Sequence, residues 1–526
     1  MLVYIAIFSC ISAFLFGYDL GLIGGALPLI KDDLGLTNGQ GELIVGGAKL
    51  GAVLGTLLGA ASMLQFGRRF TIIMDAWNFV LGPIVMAFSQ NAAGLIAGRV
   101  LIGVSIGCSA VVVPAYLAEV APAKIRGRVV GLYEVMLCVG MLLAALMDAL
   151  LGYITSGSSW RWQVQMPVFP ALVMICTMWW IPESPRWLVM RDRLEEALQV
   201  IYKVHTANIL PGGVHQSTDE VEQELLDLWS SVQKEQGFQC QENDNVKNEA
   251  QQQVEMSTAV VDDEIPLLPN GGLEQRPVQV VNTNVNDGMG KENASNKIIV
   301  VVIACFGFLK SLGTVIVGIW KVSRGKEKRA FWVVLTLAVF NQAFASTAIL
   351  NYGPTLLTDA GMKNSSWASF AASGAGLGKL IGILVSFLLV DRAGRRPLLL
   401  VGSAGSMLSL VLLGVADLFS SVLFIVICMS VFIFFFSASW AGIFWVILSE
   451  SFSMEYKSSA TFAATAALFL AGSLADLLFL TIRDWLGFVS FFLYAGIAAL
   501  SGIFVACFVP ETKGSSLAEA QALFSR

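Results

Sequence analysis

The chain has 526 residues, of which 56% are hydrophobic and 13% charged, and its mean hydropathy is +0.71. That much apolar material excludes a soluble globular domain and implies a polytopic membrane protein. The net charge of −5 decides little, because the local placement of Lys and Arg is what orients membrane helices.

A membrane span needs about 20 apolar residues. Reading for that length predicts helices near 1–30, 42–64, 70–89, 93–117, 127–154 and 164–182. The opening run, Met1 to Leu15, is read as part of the first span and not as a signal peptide. It lacks a basic n-region and continues through Gly17-Tyr18-Asp19 without a small-residue cleavage site. A long polar insert follows. Within it, 192–205 and 217–234 have helical periodicity, while 239–296 is rich in Gln, Asn, Glu and Val, lacks aromatic residues and is predicted to be disordered. The apolar run from Ile298 to Trp320, interrupted by Lys310, is long enough to span. As a thirteenth span it would put Arg392, Arg395 and Arg396 outside, so an interfacial or docked helix is expected there. Six more spans are predicted near 331–358, 367–390, 397–416, 420–449, 458–481 and 487–509.

This gives an all-α fold of twelve transmembrane helices in two six-helix halves, 1–182 and 331–510. A cytoplasmic linker at 183–330 joins them and a short cytoplasmic tail, 511–526, ends the chain. Loops at 65–69, 119–128, 183–193, 391–396 and 511–513 are rich in Arg and Lys, and the alternate loops carry few. The positive-inside rule then places both termini in the cytoplasm. The sequon Asn364-Ser365-Ser366 falls in a predicted outside loop.

Three signatures occur twice, in the same order. Gly67-Arg68-Arg69, Glu119 with Arg126-Gly127-Arg128, and Pro182-Glu183-Ser184-Pro185-Arg186 are matched by later segments. Those are Gly394-Arg395-Arg396, Glu450 with Lys457, and Pro510-Glu511-Thr512-Lys513-Gly514. Repetition on this scale marks a duplicated unit, and two such halves in a membrane protein imply movement around a central site. The eight cysteines have neither metal-site nor disulfide-framework spacing, and His205 and His215 lie in a polar segment. With no nucleotide-binding glycine loop either, no enzyme activity, metal, other cofactor or nucleic-acid partner is expected.

Phe16-Gly17-Tyr18-Asp19 with Gly24-Gly25-Ala26-Leu27 resembles the first helix of the sugar porters of the major facilitator superfamily. So do Gly98-Arg99, Glu119 to Arg128, Trp160-Arg161-Trp162, Pro182 to Arg186, Asp391 to Arg396 and Pro510 to Gly514. Within that family, Leu132-Tyr133-Glu134 and Lys379 look like the class III facilitative glucose transporters, types 10 and 12. Most sugar porters carry amides at the latter two positions. The chain departs from the family at Leu64-Gln65, Asn341-Gln342, Thr347, Ala441-Gly442, Leu468 and Phe469. The resemblance implies transport of a hexose or related polyol by alternating access, as uniporter or proton symporter, in the plasma membrane or an endosomal one. A non-transporting nutrient sensor of the same fold, or a carrier of inositol or dehydroascorbate, stands as the alternative.

Ionisable side chains are expensive inside a bilayer, which makes Asp19, Lys49, Asp75, Arg99, Glu134, Asp148, Lys379 and Asp476 functional candidates. Asp19 and Arg99 match the positions that couple a proton in sugar symporters. Burial disfavours the charged carboxylate and a guanidinium favours it, so joining or parting the two would release or bind a proton. Glu134 and Lys379 are expected to face each other across the central cavity, and Lys49 to pair with Asp75 or Asp148 or to snorkel. A sugar wants polar groups and an aromatic platform. Asn341, Gln342, Thr347 and Asn351 on the seventh helix are the predicted polar groups, with 341, 347 and 351 on one face near a break at Gly353-Pro354. Trp445 is the platform, with Phe16 and Tyr18 as further contacts and Tyr352 as an outer lid. At the cytoplasmic ends, Glu119 with Arg126 and Glu450 with Lys457, near Arg68-Arg69 and Arg395-Arg396, are predicted to latch the inner gate. Asp263-Glu264-Ile265-Pro266-Leu267-Leu268 resembles an acidic dileucine sorting signal.

Overall fold

A computed structural model of the chain describes residues 2–121, 126–154, 159–206, 229, 310–362, 365–513 and 517–525. All regular elements among the described residues are helices. Ten are each long and apolar enough to cross a membrane. The first five spans are Leu2–Leu34, Asn38–Gln65, Arg68–Phe88, Ala92–Val120 and Val129–Asp148. The seventh is Lys328–Asn351, and the ninth to twelfth are Arg395–Leu418, Val422–Glu450, Ser459–Leu486 and Val489–Phe508. Two more complete the twelve. The sixth is broken into Ser159–Gln165 and Val168–Met178, and the eighth is Ser365–Ala393, whose apolar stretch is Gly374–Val390. The predicted twelve-helix, two-half fold is the observed one.

The chain divides into two compact units. One comprises Met1–Pro182 with Thr314–Arg526 and holds all twelve spans; the other is Glu183–Gly313. In the second unit, Ser184 caps the short helix Pro185–Met190 and is followed by the amphipathic helix Leu194–Thr206. The expected disordered segment, the dileucine sequence and Asn364 lie outside the described residues, as do 298–309. Residues 310–324 are helical, and Gly318 lies against Ser459 at the start of the eleventh span.

Each half packs with the same logic. Without a hydrophobic drive between helices in lipid, small residues let backbones approach closely. Gly51 and Gly55 of the second span meet the fourth span at Val100 and Val104, and Gly103 and Gly107 return the contact at Ala48 and Ala52. A methyl group at any of the four would strike a carbonyl. Gly17 and Gly140 join the first and fifth spans in the same way. The halves meet along two seams, the second span against the eleventh and the fifth against the eighth.

Two spans depart from regular helix. The seventh ends its first segment at Ala343, passes through Ala345 in the left-handed region (φ 58°), and resumes as Ser346–Asn351 and then Gly353–Asp359. The tenth carries a π-helical turn, Ser437–Ala441, a form that recurs at functional sites.

The duplicated signatures fold alike. Gly67 and Gly394 precede the third and ninth spans with φ 94° and ψ 171° and 165°, a region open essentially to glycine alone. Behind Gly394, Glu511 accepts hydrogen bonds from the backbone N–H groups of Arg395 and Arg396, both at 3.0 Å. A carboxylate there answers the unpaired donors and positive dipole end of the ninth span. Gly394→Ala adds about 1–3 kcal/mol of backbone strain and sets its Cβ 2.7 Å from a Glu511 oxygen. A clearly lower melting midpoint in detergent is expected for Gly394→Ala, while Gly496→Ala, whose Cβ meets open space, leaves it unchanged or higher. Equal midpoints would refute the assignment.

Candidate functional site

Polar side chains inside the twelve-span unit gather in two groups. The first is built around two ion pairs. Arg99, 1% exposed on the fourth span, binds Asp19 of the first through Nη1 and donates from Nε to the carbonyl of Ile44 on the second at 3.1 Å. Close by, Lys49 of the second span binds Asp476 of the eleventh at 2.9 Å. Its remaining donors reach Thr347 Oγ1 and the Gly472 carbonyl, the latter at 3.3 Å. Thr347 in turn donates to Gln342 Oε1 at 3.3 Å, and Asn351 donates to Asp476 Oδ2 at 3.4 Å. Arg99 lies within electrostatic reach of both Lys49 and Asp476. Four charges, two of each sign, thus compensate one another in one desolvated cluster, which is the condition for burying them.

The expected partner of Lys49 is therefore corrected: it is Asp476, neither Asp75 nor Asp148. Lys49 and Glu42 are seven residues apart and share the face of the second span that meets the eleventh. Asp75 is turned toward the fourth span, where its carbonyl accepts from Ser105, and Asp148 lies against Gly25. Both carboxyl oxygens of each are buried without a hydrogen-bond partner among the described residues.

Asn341 is also corrected. It does not share a face with Thr347 and Asn351: six residues of regular helix already turn it about 120° from Thr347, and the left-handed turn at Ala345 breaks the helix between them. Its amide donates instead to the carbonyl of Trp440 at 2.9 Å, in the π-helical turn of the tenth span, and accepts from Gln342 at 3.0 Å. Tyr352 is fully buried, stacked on Phe479 with centroids 5.5 Å apart, and donates to the Asp476 carbonyl at 3.2 Å.

The second group lies at the other seam. Glu134 of the fifth span faces Trp445 of the tenth and is within electrostatic reach of Lys379 on the eighth. Among the described residues the two charges act at a distance and form no contact pair. Phe16 faces Phe469 across the halves with ring centroids 6.2 Å apart, and Tyr18 is buried in the first span. A small cavity between the halves is walled by Gly21, Gly24 and Gly25, by Asp148, and by Leu350 and Pro354. Glu134, Gln342, Lys379 and Trp445 do not line it.

At the end of the spans that carries the duplicated signatures, Arg68 binds Glu119 at 2.8 Å and Arg395 binds Glu450 at 2.9 Å. Thr512 donates to the second Glu450 oxygen at 2.8 Å. Each pair lies within its own half. Arg69 and Arg396 repeat a second correspondence, donating to the carbonyls of Met178 and Ala506. The side chain of Arg126 is outside the described residues.

The residues that sequence reasoning left without a role are Glu42, Ser473 and Thr481. Glu42 accepts from the N–H and hydroxyl of Thr481, and Ser473 donates to the Gly46 carbonyl at 3.1 Å. The seven-residue spacing of Glu42 and Lys49 was the available signal.

Comparison with known proteins agrees with this architecture. The family model described as "Sugar (and other) transporter" matches residues 5–261 and 319–524. The "Probable metabolite transport protein CsbC" of Bacillus subtilis is 29% identical, over 98% of this chain and 93% of that protein. The "Glucose transporter GlcP" of Staphylococcus epidermidis is 27% identical, over 98% and 95%. Among solved structures, the proton:xylose symporter XylE bound to 6-bromo-6-deoxy-D-glucose has the same fold, with a TM-score of 0.70, 20% identity and 99% of each chain covered. The duplicated six-helix halves, their repeated arginine–glutamate ends and the family match lead to one assignment: this chain belongs to the Sugar (and other) transporter family.

Proposed function

We propose that this chain carries a hexose or related polyol across a membrane by alternating access, coupled to protons through Asp19 and Arg99. The observation that carries the proposal is the desolvated Asp19–Arg99 pair beside the polar face of the seventh span. Asp19 leaves Oδ2 buried without a partner among the described residues, an acceptor available to a proton. Arg99 also holds the second span at Ile44. Protonation of Asp19 would cancel half of the pair and leave Arg99 to the neighbouring acceptors. Charge state and helix position are linked in this way without any bond being made in the sugar.

Gln342, Thr347 and Asn351 supply hydroxyl-binding groups at one seam. Glu134, Lys379 and Trp445 supply an acceptor, a donor and an aromatic face at the other. The latter set supports kinship with the class III facilitative glucose transporters. Arg68–Glu119 and Arg395–Glu450 fasten helix ends within each half, so that each half moves as a body. Placing those basic ends in the cytoplasm follows the positive-inside rule, and the plasma membrane is the proposed site. The separate unit Glu183–Gly313 favours a second reading, a nutrient sensor that signals through this insert. Deleting 239–296 with sugar flux retained would discard it.

In proteoliposomes, labelled glucose should accumulate above equilibrium under an inward proton gradient, and Asp19→Asn should abolish accumulation. Equilibration indifferent to pH would instead make the protein a uniporter and Asp19 structural. A second expectation concerns Glu134 and Lys379. Glu134→Gln removes a negative charge that compensates the buried Lys379 from a distance, and should lower uptake. The double variant Glu134→Gln, Lys379→Asn should recover much of the lost uptake. Equal loss in both would end the idea of compensating charges.

A further inference from the structure

The second and eleventh spans run antiparallel across the boundary between the halves, and three polar contacts join them. Glu42 takes both donors of Thr481 at 2.9 and 3.1 Å. One turn further in, Ser473 donates to the Gly46 carbonyl, with Leu477 packed on Gly46 beside it. At a similar depth lies the Lys49–Asp476 ion pair at 2.9 Å, its two side chains 9% and 1% exposed. Such polar rungs are a poor way to make a permanent seam, since a buried ion pair is often no more stable than well-packed apolar residues. They suit a seam that opens. When the halves part, water enters and solvates both charges, so separation costs far less than it would in hydrocarbon.

We propose that Lys49 and Asp476 form a reversible clasp that holds the two halves closed at the end where the second span begins, with Glu42–Thr481 as its outer rung and Ser473–Gly46 beside it. The clasp adds positioning residues to the transport reading on which it rests. Lys49 and Asp476 also hold Thr347 and Asn351, so opening the clasp frees two hydroxyl-binding groups at the same moment. Arg99 reaches the same span at Ile44, between the Glu42 and Lys49 rungs, which brings the Asp19 pair into mechanical contact with it.

Ser473 is fully buried in this seam and reports on its opening. The test is the rate at which N-ethylmaleimide labels Ser473→Cys in nanodiscs, with the labelling of the parent protein's own cysteines subtracted. Lys49→Met with Asp476→Leu removes both charges and strands neither, so the variant folds. It should label faster by about tenfold or more, within the usual range of inter-site coupling. The exchanged pair, Lys49→Asp with Asp476→Lys, should return labelling to the slow rate. Slow labelling in the apolar double variant, or fast labelling in the exchanged pair, overturns the clasp. Glucose flux measured on the same proteins is a separate readout. If the labelling pattern holds but no variant or parent moves sugar, the clasp stands and the transport reading fails.

Discussion

A charge placed in hydrocarbon must find its counter-charge inside the protein, and this constraint organises the centre of the molecule. Arg99 meets Asp19, Lys49 meets Asp476, and each pair draws its remaining donors onto backbone carbonyls or hydroxyls. The helices are held where these partners can be reached. Because one pair lies within a half and the other crosses between halves, the same electrostatics that keeps each half intact also joins the two. Neutralising one member would move the balance at both places.

Duplication supplies the frame on which that cluster sits. Gly67 and Gly394 turn the chain identically, Arg68 and Arg395 each bind a glutamate at the end of the following span, and Arg69 and Arg396 each cap a helix carbonyl. The two halves diverge where chemistry would differ. Only the second has the left-handed turn at Ala345 and the π-helical turn at Ser437–Ala441 among the described residues, and these come together through Asn341 and the Trp440 carbonyl. Irregular backbone at membrane depth is tolerated where it is buried in protein or lines a cavity, which places the specialised parts of the seventh and tenth spans at the centre.

Much of this was legible beforehand because it is local. Twelve apolar runs and the repeated basic turns follow from composition and short motifs, and the Asp19–Arg99 pair was implied by the resemblance to the sugar porters. The partner of Lys49 was not legible. Three acidic residues were available to it, and only the rotation of the second and eleventh spans about their axes selects Asp476 over Asp75 and Asp148. The face shared by Asn341, Thr347 and Asn351 failed for a different reason. Six residues of regular helix already turn Asn341 about 120° from Thr347, and alanine is a good helix former, so nothing in the residue at 345 announces the added left-handed turn.

The amino-acid order by itself determined how many times the chain crosses and which ionisable groups must be buried. Those are properties of a single helix in a bilayer, set by hydropathy and by residues a few positions apart. Tertiary structure decided which buried charges meet, which polar groups of the seventh span face one another, and that the second span is fastened to the eleventh. Such choices depend on helix rotation and on contacts between residues hundreds of positions apart, where small residues set how closely the backbones approach.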